Sequence, residues 1–336
     1  MRRFLALIWA GLLGSLLPCA AQLFTVDDLY LETRTSVIGH AGGEDQFNAA
    51  FAGEFLNFNI QGRIADNLSY RVRHRFNKPV YDPENPLNAT DFLWLRWDAS
   101  PRWGFSIGKL PVMIGGFEFD DAPINVYYWN GFCNHVWQVY CLGVQAFWNP
   151  NDHQTFSFQV VDSPWSKGQW GIFSWNLGWM GQFAPWWKTL WSVNLIDDVE
   201  RRGMQYISLG NRFEAGGWAL ELDWMDREAI HRRQKPLSDW SLVARLTYDW
   251  KNWGVFVKGG YDVNAETNVD ADGVPFDVVC PAGMEYIFGG GGIECFPIPD
   301  REDLRLHAVV WKDNQSPDIN FSLGVSYRIR FLNKKP

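Results

Sequence analysis

The stretch Ile319-Asn320-Phe321-Ser322-Leu323-Gly324-Val325-Ser326-Tyr327-Arg328-Ile329-Arg330-Phe331 decides the fold. Its odd positions are apolar and its even positions are polar or glycine. Successive side chains of a β-strand point to opposite faces, so this is a strand with one oily and one wet surface. A soluble sandwich could hold one such strand. Seven apolar positions in register, close to the C-terminus, give the length needed to cross a bilayer at a tilt.

The alternation recurs upstream. Leu68, Tyr70, Val72 and Phe76 alternate with Ser69, Arg71, Arg73 and Arg75. The same pattern runs through Trp103–Gly108, Tyr140–Trp148, Trp218–Trp224, Trp240–Asp249 and Leu304–Val310. Tight-turn signals such as Ala215-Gly216-Gly217 and Asn149-Pro150-Asn151-Asp152 separate consecutive strands and make them antiparallel neighbours. The reading is an all-β, transmembrane, antiparallel up-and-down β-barrel. About fifteen strands are visible, and outer-membrane barrels have an even number, so 16 strands are expected, with 14 as the alternative. The missing strand is expected in Leu23–Gly62 or Pro111–Trp137, where periodicity is poor.

The other end of the chain reads as a secretory leader. Arg2 and Arg3 precede an apolar run from Phe4 to Leu17, and Cys19-Ala20-Ala21 supplies small residues for cleavage. Residues 1–21 are therefore expected to be a signal peptide and 22–336 the barrel. A lipidated Cys19 is disfavoured by Pro18, and the run is short for an uncleaved anchor. After it no run of 18 apolar residues occurs, which excludes a helical membrane protein. Twenty Trp and 16% aromatic residues suit the girdles of a membrane barrel.

Without Arg2 and Arg3 the chain has 28 basic and 38 acidic residues, a net charge of −10. The acids collect in loops, above all in Asn264–Asp300, read as the longest loop. The cations recur on polar strand faces: Arg71, Arg73 and Arg75 in one ladder, then Arg96, Lys188, Arg212, Arg245, Lys258, Arg305, Arg328 and Arg330. If the apolar face meets lipid, these cations face the lumen, where guanidinium groups favour anions. The competing reading is that they pair with acids on neighbouring strands, Glu54, Glu221, Asp223 and Asp249 among them, and so tighten the barrel.

Gly108-Lys109-Leu110-Pro111, followed by Gly115-Gly116-Phe117-Glu118, resembles the Gly-Lys…Pro…Gly…Glu segment of the phosphate-selective porin O and P family. The resemblance implies a strand end leading into a constriction loop at Phe119–Gln138. It also implies passive diffusion of small polar solutes across the outer membrane of a Gram-negative bacterium, with anion or phosphate preference, and a homotrimer. Arg71, Arg73, Arg75, Arg96, Lys109, Arg305, Arg328 and Arg330 are the expected anion path. Expected partners are membrane lipid, lipopolysaccharide and the solutes, with no nucleic acid, cofactor or metal.

Other classes were weighed. A barrel hydrolase needs a Ser–His dyad at its rim, and no spacing ties His135, His153 or His307 to a serine. A non-conducting barrel that only anchors loops is the alternative. A plugged transporter would need an N-terminal plug for which the chain has no room. Asn268-Val269-Asp270-Ala271-Asp272-Gly273 resembles half a calcium loop but has Val279 where a bidentate Glu belongs. Cys133, Cys141, Cys280 and Cys295 remain after the leader, with Cys133–Cys141 and Cys280–Cys295 the favoured pairs among three connectivities.

Overall fold

The structure is a computed structural model that describes residues 24–43, 47–79, 87–129, 131, 139–166, 168–230, 236–265, 282–298 and 302–333. Sixteen strands form it: β1 (Thr25–Ala41), β2 (Phe47–Ala65), β3 (Leu68–Arg75), β4 (Thr90–Ser100), β5 (Trp103–Pro111), β6 (Tyr140–Asn151), β7 (Gln154–Asp162) and β8 (Phe173–Ala184), then β9 (Trp187–Asp197), β10 (Gly203–Ala215), β11 (Trp218–Ala229), β12 (Asp239–Trp250), β13 (Trp253–Val263), β14 (Glu285–Cys295), β15 (Leu304–Asp313) and β16 (Ile319–Asn333). Each pairs antiparallel with its sequence neighbours, and β1 pairs with β16 to close the barrel. Closure leaves no open edge, which a bilayer requires because hydrocarbon cannot satisfy backbone N–H and C=O groups.

The joints differ at the two ends. At one end six joints are two residues long, at 66–67, 101–102, 152–153, 185–186, 216–217 and 251–252. Gly216 and Gly217 both have positive φ, 57° and 86°, the primed-turn geometry that matches strand twist. The seventh joint there, 296–303, is longer, and the remaining joints lie at the opposite end. Among them 112–139 is the longest, and it folds inward.

The apolar residues of the terminal strand stand outward, with Ile319, Leu323, Ile329 and Phe331 exposed, while Ser322 and Ser326 are buried inside. The outer surface at the turn end carries a run of touching rings: Trp103–Trp148, Trp148–Phe156, Phe156–Trp179, Trp179–Trp191 and Phe183–Trp187. These amphipathic rings suit the membrane interface.

Sixteen strands hold, but two placements change. Leu23–Gly62 contains β1 and most of β2, and among the described residues of Pro111–Trp137 there is none. The segment Asn264–Asp300 is not one loop, because β14 lies inside it. Gly289–Gly292 disguises that strand, yet each glycine is paired. At Gly290 a Cβ would meet the backbone of Val310 and Trp311, and at Gly292 the ring of Phe256. The longest joint is therefore 112–139. The terminal strand also runs past Phe331, since Leu332 pairs with Leu29.

The leader, His135, the 268–273 sequence, Cys133 and Cys280 lie outside the described residues. Cys141 is buried in β6, and Cys295 sits at the turn end of β14.

Candidate pore constriction

Residues 112–129 leave β5 and lie against the inner wall, and the motif residues explain how. Gly108 has φ 129°, and a Cβ there would meet the carbonyl of Leu93 at 2.1 Å. Lys109 is buried and donates to the Leu87 carbonyl at 2.7 Å. Gln159 on β7 donates to the Pro111 carbonyl and accepts from the Met113 amide, at 2.9 and 2.8 Å. Gly115 donates to Ser192 Oγ and accepts from Ser208 Oγ, both at 2.7 Å, so the loop backbone lies flat on β9 and β10. A Cβ at Gly115 would approach Leu190 O at 2.7 Å and Ser192 N at 2.9 Å, which leaves room for glycine alone.

Gly116, with φ 110°, then turns the chain against β11. There Asp223 accepts both amides that open a four-residue helix, α1 (Phe117–Asp120), from Phe117 and Glu118 at 2.9 Å. Glu118 pairs with Lys258 on β13 at 3.0 Å, both almost fully buried. Asp121 pairs with Arg245 on β12 at 2.8 Å. A single 3-10 turn follows at Pro123–Asn125.

The far side of the loop is held by Arg34 of β1. Its guanidinium donates to the carbonyls of Pro123, Ile124 and Val126, to Glu54 and to Ser326. Arg305 of β15 adds bonds to the Ile124 carbonyl and Asn125 Oδ1. Tyr127 donates to Glu294 at 2.5 Å, and Tyr128 stacks on Trp311. Burial and the neighbouring Glu294 raise the Tyr127 hydroxyl's pKa, so it stays a proton donor. The loop thus covers the inner wall from β7 round to β1 and leaves β2–β6 bare.

That bare wall bounds a cavity of about 850 Å³. On the wall side it is lined by Arg71, Arg73 and Arg75 of β3, Phe92, Trp94 and Arg96 of β4, and Tyr140 and Phe147 of β6. The loop side contributes Asp120, Asp121 and Tyr127. Arginines and rings interleave. Phe92 sits between the guanidinium groups of Arg71 and Arg73, at 4.4 and 4.2 Å, and Tyr140 touches those of Arg73 and Arg75. Such contacts hold cations in fixed positions without neutralising them.

Residues 48–189 match the family model described as phosphate-selective porin O and P. Over that stretch the chain is similar to porins of this family. None of the curated proteins matches it. Solved structures share its fold. OmpF of Salmonella typhi in complex with daunomycin superposes with TM-score 0.60 at 10% identity, over 90% of this chain and 97% of that one. OmpT of Vibrio cholerae in its trimer form gives 0.58 at 11%, over 92% and 100%. A triple mutant of the Rhodopseudomonas blastica porin gives 0.54 at 11%, over 91% and 100%.

This outer-membrane porin brings only part of the expected path together. Arg71, Arg73, Arg75 and Arg96 line the cavity. Arg73 and Arg75 share Asp91, the Arg73 contact being 2.9 Å, and Arg96 holds Asp98 at 2.9 Å. Lys109 is buried under the loop end instead of lining the space. Arg305 is tied to Glu294, Arg328 to Glu32, and Arg330 to Asp28 and Asp303. Those three brace the β14–β1 seam. Of the acids weighed as partners, Glu54 pairs with Arg34, and Glu221 with Arg212 and Arg245. Asp223 instead caps α1.

Arg34, the main clamp, escaped sequence reasoning because β1 dilutes its apolar face with Thr33 and Thr35. The weak signal was Glu32-x-Arg34-x-Ser36. His307 does touch two serines, Ser36 at 3.2 Å and Ser322 at 3.0 Å. All three are buried, and the His307 ring packs against Tyr127.

Proposed function

We propose that the porin prefers anions, conducting small anionic and polar solutes along the β2–β6 wall past the constriction loop. The observation that carries this is the charge lining the cavity. Arg34, Arg71, Arg73, Arg75, Lys78 and Arg96 oppose Glu54, Asp120 and Asp121, six cations against three carboxylates. Asp91 behind the ladder and Asp98 beside Arg96 offset two more, leaving an excess of one cation. Cations so placed replace part of an anion's lost hydration. Phosphate fits this lining, and the family match supports it.

In this reading the lumen is a channel and carries no covalent chemistry. Residues 1–21 act as the export signal. The protein assembles as a homotrimer, a reading supported by the likeness to OmpT solved in its trimer form. The test is the reversal potential of the purified protein in a planar bilayer under a potassium chloride gradient. The expected sign is that of chloride passing faster than potassium. Cation selectivity would overturn the proposal.

A further inference from the structure

We propose that the wall beside Arg71 and Trp94 is a binding subsite for small organic anions that carry a flat ring, aromatic carboxylates being the simplest. This rests on the anion-preferring reading above and adds recognition of the ring.

Two groups define the subsite. Arg71 lines the cavity and is half-buried. Its neighbours on β3, Arg73 and Arg75, share the one carboxylate of Asp91, whereas Arg71 makes no ion pair among the described residues. Phe92 holds its guanidinium from one side at 4.4 Å, which fixes a charge that faces the lumen. Tyr30, Tyr140 and Asp120 are the other titratable neighbours, and the lone carboxylate among them, Asp120, stands on the loop.

Trp94 is directly opposite Arg71 in the β3–β4 register. It is a large ring on the lumen face of a strand whose lipid face is already apolar, with Leu93 and Leu95 exposed outside. The packing of the wall does not call for it. Among the described residues its indole makes no ring contact, no cation–π contact and no hydrogen bond, although it borders the cavity. Its cross-strand neighbours continue as Gly108 on β5 and Gly143 on β6. Neither has a side chain, so the indole has room to lie against the wall with a face to the lumen.

An aromatic carboxylate uses both features at once. Its carboxylate takes the guanidinium fork, and its ring stacks on the indole. An inorganic anion or acetate uses the charge alone.

The test titrates benzoate, acetate and inorganic phosphate against the chloride current of the bilayer-inserted protein and reads the concentration that halves it. Benzoate is expected to act at about tenfold lower concentration than acetate. Trp94→Ala should bring the two together while the reversal potential keeps the sign of chloride over potassium. Trp94→Phe should keep most of the difference. Arg71→Gln should weaken both ligands. Heat-modifiable gel mobility verifies that each variant is folded. Equal action of benzoate and acetate on the anion-selective wild type would overturn the subsite alone, as would a ratio that survives Trp94→Ala. Cation selectivity of the wild type would instead overturn the underlying function.

Discussion

At the residue scale the constriction depends on charges that are useful only as pairs. Lys258 and Glu118 meet at 3.0 Å with side chains 4% and 3% exposed, one on the wall and one on the loop. Removing one partner strands a buried charge, which costs about 3–5 kcal/mol, whereas replacing both with neutral groups of similar shape is often nearly neutral. Lys258→Met should therefore lower the urea midpoint of the folded barrel and make single-channel current noisy as α1 loosens. Adding Glu118→Gln should restore most of the midpoint. A double variant no more stable than Lys258→Met would show that the pair does not hold the loop. The motif Gly-Lys…Pro…Gly…Glu was readable in the sequence, but its partners were not. Gln159, Ser192, Asp223 and Lys258 lie on four different strands, and only the barrel's curvature brings them to one loop.

At the element scale, legibility followed the clarity of alternation. β16 and β3 have bulky apolar residues at every second position and were read directly. β14 was hidden because Gly289–Gly292 removes its side chains, and β1 because threonines stand where aliphatics were expected. The inner loop has no periodicity at all, and its path is fixed by hydrogen bonds from distant strands. Its acidic helix should make the pore respond to pH. Enclosure in the lumen and then the charge of Asp121 raise the pKa of Asp120 above that of an ordinary carboxyl, against the opposing pull of Arg71. A raised carboxyl takes up its proton earlier on acidification, so Asp120 turns neutral while ordinary carboxylates remain charged. On mild acidification, before ordinary carboxyls take up protons, the lumen should become more positive and the anion-to-cation permeability ratio should rise. Asp120→Asn should show the higher ratio at neutral pH and flatten the response. A falling ratio on acidification, or an unchanged slope in Asp120→Asn, would exclude this carboxyl as the cause.

At the scale of the whole molecule, the barrel is one closed ladder, and its last strand is also its lock. β16 pairs with β15 on one side and, from Asn333 to Ile319, with nearly the whole of β1 on the other. Ion pairs reinforce the seam at its turn end, from Arg328 to Glu32 at 2.7 Å and from Arg330 to Asp28 at 3.2 Å. Arg328 and Arg330, expected on the anion path, are thus tied into the seam, and the path proposed above runs along the opposite wall. Without β16, both β1 and β15 would present unpaired N–H and C=O groups to hydrocarbon, and each such group costs several kcal/mol there. No rearrangement of fifteen strands repairs this cheaply, because an antiparallel up-and-down barrel needs an even number to close. Truncation after Pro317 should consequently abolish the heat-modifiable, protease-resistant form in detergent and leave no conductance. Truncation after Asn333 keeps every residue of β16 and should leave folding yield, mobility and conductance at wild-type values. If the long truncation still gave protease-resistant channels, the β1–β16 seam would not be what closes this barrel.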